Sequence, residues 1–158
     1  MDGAIFFARV ESIEYLRFTG TVRYSHCSSL ENHINNLFDK NDFDEVVIDL
    51  EEAVILDSTA LGLLAKIAIE FRKNSEFKPV IFLRRGELAN ILKRVCFDQV
   101  FTIILDDKQS KIIDYTLLPN HSDNEKKMLQ RVVEAHRILV ELDEKNEVLF
   151  KEISLAIN

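Results

Sequence analysis

The hydrophobic and polar positions of this chain fall into short apolar runs separated by stretches of helical period. Ile5 to Val10 and Tyr15 to Tyr24 read as two strands, joined as a hairpin by Glu11-Ser12-Ile13-Glu14, a link that lacks an Asn-Gly type turn. Glu45 to Leu50, Val80 to Leu83 and Val100 to Leu105 are three further strand-like runs, rich in β-branched residues. Between them the period lengthens. Leu30, Ile34, Leu37 and Phe38 form one helical stripe, opened by Ser28 with Glu31 as a capping box and closed by Asn41-Asp42. Leu61, Leu64, Ala65 and Ala68 share a face of a second helix, from about Thr59 to Phe71. Lys78-Pro79 breaks the chain before the fourth strand, and Glu87 to Val95 reads as a short third helix.

The predicted order is β β α β α β α β, followed by more helix. Strands that alternate with helices after a first hairpin imply an α/β fold with a mixed, mostly parallel sheet of about five strands and right-handed crossovers. Phe6, Phe7, Phe18, Phe82 and Phe101 are expected in its core. Functional residues in such sheets lie beyond the carboxyl ends of the strands. Asp57 and Ser58 fall there, just before the second helix. An oxygen at that position accepts the helix's first unpaired N–H groups, and the helix dipole favours a phosphate there. Taken alone, Asp-Ser-Thr before an apolar helical run is an N-cap.

After Pro119 the pattern changes again. Met128, Val132, Ala135, Leu139, Leu142, Asn146, Leu149, Ile153 and Ala156 recur in steps of four and three, a heptad seam. Leu129, Val133, His136, Val140, Phe150 and Ile157 widen it. A continuous helix from about Asp123 to Ala156, capped by Ser122 or Asp123, would span about 50 Å. It either breaks near Asp143 to Asn146 or projects to pair with another chain. The organisation expected is a domain over residues 1–118 and a C-terminal helical extension over 119–158. That extension docks on its own domain or forms a homodimer.

Composition narrows the chemistry. The 158 residues carry a net charge of −7 and include only four Gly and two Pro. Such an acidic chain lacks the basic footprint that nucleic acid requires. No run is long and apolar enough to insert in a membrane, and the N-terminus lacks a signal-peptide layout, so a cytoplasmic location is expected. Four Gly leave no glycine-rich phosphate cradle. The four His have no metal-ligand spacing, so no metal and no cofactor are expected. Cys27 and Cys96 read as two free thiols in a reducing compartment, with one disulfide as the alternative. His26 and Cys27, being adjacent on an extended segment, point opposite ways. Ser58 has no histidine near it in sequence and no Gly-x-Ser-x-Gly elbow, which speaks against a hydrolase nucleophile. Ala8-Arg9-Val10 lacks the acidic cluster of a response-regulator receiver. No enzyme reaction is indicated.

The segment Val46 to Leu64 resembles the signature of STAS domains, in particular the anti-sigma factor antagonists of bacterial partner-switching systems. The likeness rests on the strand Val46-Val47-Ile48-Asp49-Leu50 and on Asp57-Ser58-Thr59-Ala60-Leu61-Gly62. It extends over roughly Ile5 to Ile104, through Leu16-Arg17-Phe18-Thr19-Gly20 and Val80 to Val95. Ala60 and Phe97 stand where that family usually has glycine, and Arg23 where an acidic residue is common. The resemblance implies a non-enzymatic switch. Ser58 would be the serine phosphorylated by a partner kinase, with Thr59 as fallback, and a serine phosphatase would reset it. The unphosphorylated form would bind an anti-sigma factor or an equivalent regulatory partner through Asp57, Ser58, Thr59, Leu61 and Gly62. Arg84 and Arg85 follow the fourth strand on the same edge, and would contact the partner or a phosphate unless they are solvated surface. The alternative is a STAS scaffold subunit of a transporter or sensory assembly, never phosphorylated, with the tail helix as its functional surface.

Overall fold

The computed structural model describes residues 2–106, 113–119 and 123–142. Strand β1 (Ala4–Val10) turns back onto β2 (Ile13–Val22), with Val10 opposite Ile13. Glu11 takes a left-handed φ of 55°, so this tight turn forms without the Asn-Gly pair that usually supplies such a conformation. Strand β2 is ten residues long and serves two neighbours. Its first half pairs in parallel with β3 (Glu45–Asp49), and its end pairs in parallel with β4 (Ala53–Leu56). Strand β5 (Val80–Leu83) lies beside β3, and β6 (Thr102–Leu105) beside β5, both parallel. The two-residue β7 (Thr116–Leu117) joins the far edge against β1. The order is β6-β5-β3-β2-β1-β7, with β4 continuing beyond β3 on β2.

The mixed, mostly parallel α/β sheet is as expected, with two additions. Strand β4 is only four residues, with Val54 and Ile55 exposed, and lacks the buried run that marks a central strand. Strand β7 is too short to carry any period.

Helices α1 (Cys27–Lys40), α2 (Ser58–Arg72) and α3 (Glu87–Arg94) follow the three predicted stripes, and α4 (Glu125–Leu142) lies in the extension. Helix α1 starts one residue earlier than its expected cap. A 3-10 turn over Tyr24–His26 runs directly into it, which places Ser28 inside the first turn and buries it. The expected Ser28–Glu31 box is therefore absent, and Glu31 faces Arg131 of α4 instead. Asn41 ends α1 in the left-handed conformation, its N–H bonded to the Leu37 carbonyl.

Leu16, Phe18 and Ile48 from the sheet pack with Leu30 and Ile34 of α1 and Leu64 and Ile67 of α2 in one core. Phe97 and Phe101, ring centroids 5.2 Å apart, close it beside α3. Phe101 precedes β6 rather than lying on it. Phe6, Phe7 and Phe82, expected inside, are only half-buried. Phe6 meets Tyr115 edge-on and Phe7 leans on His33. Cys27 and Cys96 are both buried as thiols and are not joined in a disulfide.

Helix α2 is apolar nearly all round, from Thr59 through Phe71, and such a helix must be covered on more than one side. The sheet and α1 cover part of it, and α4 covers the rest. Helix α4 buries Val132, Ala135, Ile138 and Leu139, together with Arg131 and His136. Leu129 and Val133, expected within the apolar stripe, are 50% and 61% exposed, so the buried face is rotated away from them. The seam positions from Asn146 to Ala156, with Phe150 and Ile157, lie outside the described residues.

One buried charge cluster anchors the hairpin to α1. Glu14 is 3% exposed; its Oε2 accepts from Arg9 Nε at 2.8 Å and its Oε1 lies 2.9 Å from His33 Nε2. Removing the carboxylate leaves two polar groups without their acceptor. Glu14→Ala is expected to lower unfolding free energy by about 1–3 kcal/mol in urea denaturation. A change below about 0.5 kcal/mol, the range of surface substitutions, would show that the cluster is not structural.

Candidate functional site

Strand β4 ends alongside Val22, and the Asp57 N–H donates to the Val22 carbonyl at 3.1 Å. Asp57 is extended, and α2 starts at the next residue. The Asp57 carboxylate then accepts two backbone N–H groups. Oδ1 takes Ala60 at 3.0 Å, the N-cap bond, and Oδ2 takes Tyr24 at 2.6 Å. One side chain thus ties the start of α2 to the turn after β2. Burial raises the Asp57 pKa, and the N–H bonds and His136 work against that rise.

Ser58, the first residue of α2, is half-buried, and its Oγ lies 2.6 Å from Nε2 of His136 on α4. Two contacts bring α4 that close. Gly62, one turn into α2, faces Ala135. A β-carbon on Gly62 would come within 2.5 Å of the Ala135 carbonyl oxygen and 2.6 Å of its Cα. Only glycine lets the two helices approach at this point. Arg131, one turn before Ala135, is 5% exposed. Its Nη2 lies 2.5 Å from Asp123 Oδ2, and its Nε 3.4 Å from Glu31 Oε1, so the α4 start is clamped to α1 by charge. The Arg131 hydrogen bond holds the Asp123 carboxyl below its ordinary pKa.

A cleft of about 680 Å³ opens beside Ser58 between α2 and α4. Tyr24, Met128, Leu129 and Val132 give it apolar walls, and Asp57 and Glu125 add carboxylates. Cys27 is fully buried and donates its thiol to the Arg23 carbonyl at 3.4 Å, and burial pushes that thiol's pKa far up.

The sequence-predicted residues separate into two groups. Asp57, Ser58 and Thr59 are contiguous, but Thr59 is 2% exposed and Leu61 4%, and Gly62 lies under Ala135. Arg84 and Arg85 stand at the same end of the sheet and are exposed. Arg84 pairs with Glu52 at 3.4 Å and Arg85 with Asp106 at 2.8 Å. His136 is the participant that sequence reasoning missed. It lies 78 positions from Ser58, inside what reads as an apolar stripe. A histidine among apolar helix positions is the one signal that could have singled it out. Among the described residues, no group of three His, Cys, Asp or Glu side chains is placed to hold a metal ion. No described helix is long and apolar enough to cross a membrane.

Comparison with protein-family models matches residues 7–109 to the STAS domain. The chain belongs to the STAS-domain family. That family includes anti-sigma factor antagonists and the STAS domains of transporters. No curated protein sequence matches the chain. The STAS match takes in Asp57, Ser58, Gly62, Arg84 and Arg85, and it ends before α4. The imidazole against Ser58 therefore comes from outside the matched STAS segment.

Burial lowers the His136 pKa, and the Asp57 carboxylate partly offsets this. A histidine kept neutral in the fold contributes stability that is complete above its unfolded pKa, near ~6.5. That stability is lost as pH falls below this value, because the unfolded chain then binds the extra proton. Asp57 acts in the opposite sense at lower pH, where protonation relieves its desolvation. Thermal midpoints are expected to drop between pH 7.5 and 5.5 more steeply for the wild type than for His136→Gln. Parallel curves would remove His136 from the pH response.

Proposed function

We propose that this STAS protein is a phosphorylation-switched regulatory binding protein of the anti-sigma factor antagonist kind, with Ser58 as the phosphate acceptor. The observation that carries the reading is the position of Ser58. It is the first residue of α2, directly after an aspartate that caps the helix, at the carboxyl end of the parallel strands and within the STAS match. Thr59, the neighbouring hydroxyl, is nearly inaccessible, which favours Ser58 over it. A serine kinase would transfer the γ-phosphoryl of ATP to Ser58 Oγ. The O–H proton and ADP would leave, and a serine phosphatase would return the hydroxyl by hydrolysis.

The energetics suit a switch. A phosphate adds about −1.5 to −2 charge. The α2 dipole contributes about 0.3–1 kcal/mol in its favour, which keeps the modified state accessible. Across an interface the same charge must be desolvated, and about 1.4 kcal/mol is already tenfold in affinity. The unmodified protein would bind an anti-sigma factor or an equivalent regulatory partner, and the phosphorylated protein would not.

The test is phosphopeptide mapping on protein isolated from its native cell, followed by partner capture with Ser58 variants. Phosphate on Ser58 in a fraction of the molecules is expected. Ser58→Ala should retain the partner, and Ser58→Asp should bind it at least tenfold more weakly. Phosphate on Thr59 alone would move the acceptor. No phosphate under any growth condition would overturn the switch and favour a constitutive scaffold.

A further inference from the structure

We infer that α4 is a latch held by the unmodified Ser58 hydroxyl, and that a phosphate on Ser58 releases α4 from α2. The inference rests on the reading of Ser58 as acceptor and adds how the mark is transmitted. Three observations combine.

The first is space. Ser58 Oγ and His136 Nε2 are in direct contact at 2.6 Å. A phosphorus atom bonded to Oγ, with its three further oxygens, cannot occupy that gap while His136 stays in place. The Gly62–Ala135 approach is already as close as a backbone without a β-carbon allows, so α4 cannot press closer there and makes room only by moving away from α2.

The second is charge. The cleft beside Ser58 offers a phosphate two carboxylates, Asp57 and Glu125, and its described lining includes no lysine or arginine. The nearby cation on α4, Arg131, is already turned to Asp123 and Glu31. With α4 docked, a phosphate would stand beside like charges and apolar walls. With α4 away, water and the exposed N-terminus of α2 solvate it.

The third is what α4 carries. Tyr24, from the turn after β2, and Leu129, from α4, are both about half exposed and line the same cleft as Ser58. Val133 is exposed one helical turn on from Leu129. This apolar surface around Ser58 is built jointly by the STAS domain and α4. It exists only while α4 is docked. Release would dismantle it and uncover Gly62 and Leu139, so a single modification would change a surface far larger than one side chain.

The experiment places phosphoserine at position 58 of the full chain by genetic encoding and follows amide hydrogen exchange at pH 7.5. Exchange in residues 125–142 is expected to rise at least tenfold over the unmodified protein, while β1, β2 and β3 keep their protection. Gly62→Val, which forces the helices apart with no phosphate, should give the same pattern. Unchanged protection of α4 in the phosphoserine protein would overturn the latch. Loss of protection across the sheet as well would also overturn it, since the latch confines the change to α4. Failure of the latch is separable from failure of the switch. Mapping in the native cell asks whether Ser58 is modified, and exchange on the encoded phosphoserine asks what the modification does.

Discussion

Helix α2 has more apolar surface than one side of a sheet can cover, and the arrangement around Ser58 depends on how the remainder is buried. Leu61, Leu63, Leu64 and Ala65 form a nearly continuous apolar run, and all four are buried. A helix of this kind is stable only between two partners. The sheet is one, and α4 is the other. The contact is tightest at Gly62, where Ala135 takes the space a side chain would fill. Once that point is set, His136 has little freedom. It is the next residue on α4 and is carried onto the first residue of α2.

Charge around the site is arranged to suit a neutral serine. The Asp57 carboxylate is satisfied by two backbone N–H groups, even though burial works against its ionisation. Arg131, Arg84 and Arg85 each have a carboxylate opposite them, from Asp123 and Glu31, Glu52 and Asp106 respectively. A site built to hold a phosphate would aim at least one such guanidinium at the acceptor. Here the guanidinium groups fasten elements together instead. The site can receive a negative charge at the helix N-terminus, but the packing over it is complementary to the hydroxyl.

The sheet and three of its helices were legible because each rests on a local period that survives in the fold. The edge of the second helix, the left-handed end of α1 at Asn41 and the break at Pro79 all follow from residues a few positions apart. What escaped has a non-local cause. Strand β4 exists because β2 is long enough to pair with two strands in succession, which no window over residues 53–56 reveals. Helix α1 opens without its expected cap because the turn before it is held from Asp57, across 33 positions. Phe97 fits where the STAS resemblance has glycine because Cys96, not Phe97, takes the left-handed φ of 67°. At the candidate site, Asp57 and Ser58 were readable as a helix start. Their tertiary partner was not, since a histidine in an apolar stripe carries no label saying which helix it will meet.

The boundary of the STAS match gives that partner a particular weight. Everything needed to place Ser58 at a helix N-terminus lies within residues 7–109: the strands, the capping aspartate and α2 itself. The imidazole that meets Ser58 Oγ lies after it, in α4. Removing α4 in thought leaves an STAS domain with Ser58 open but with the apolar outer face of α2 bare. The same helix that buries the apolar face also brings His136 to the hydroxyl. Moving α4 away would therefore uncover the rest of Ser58 together with that face. Any protein that reaches this serine at close quarters must either bind with α4 in place or take over the surface that α4 leaves.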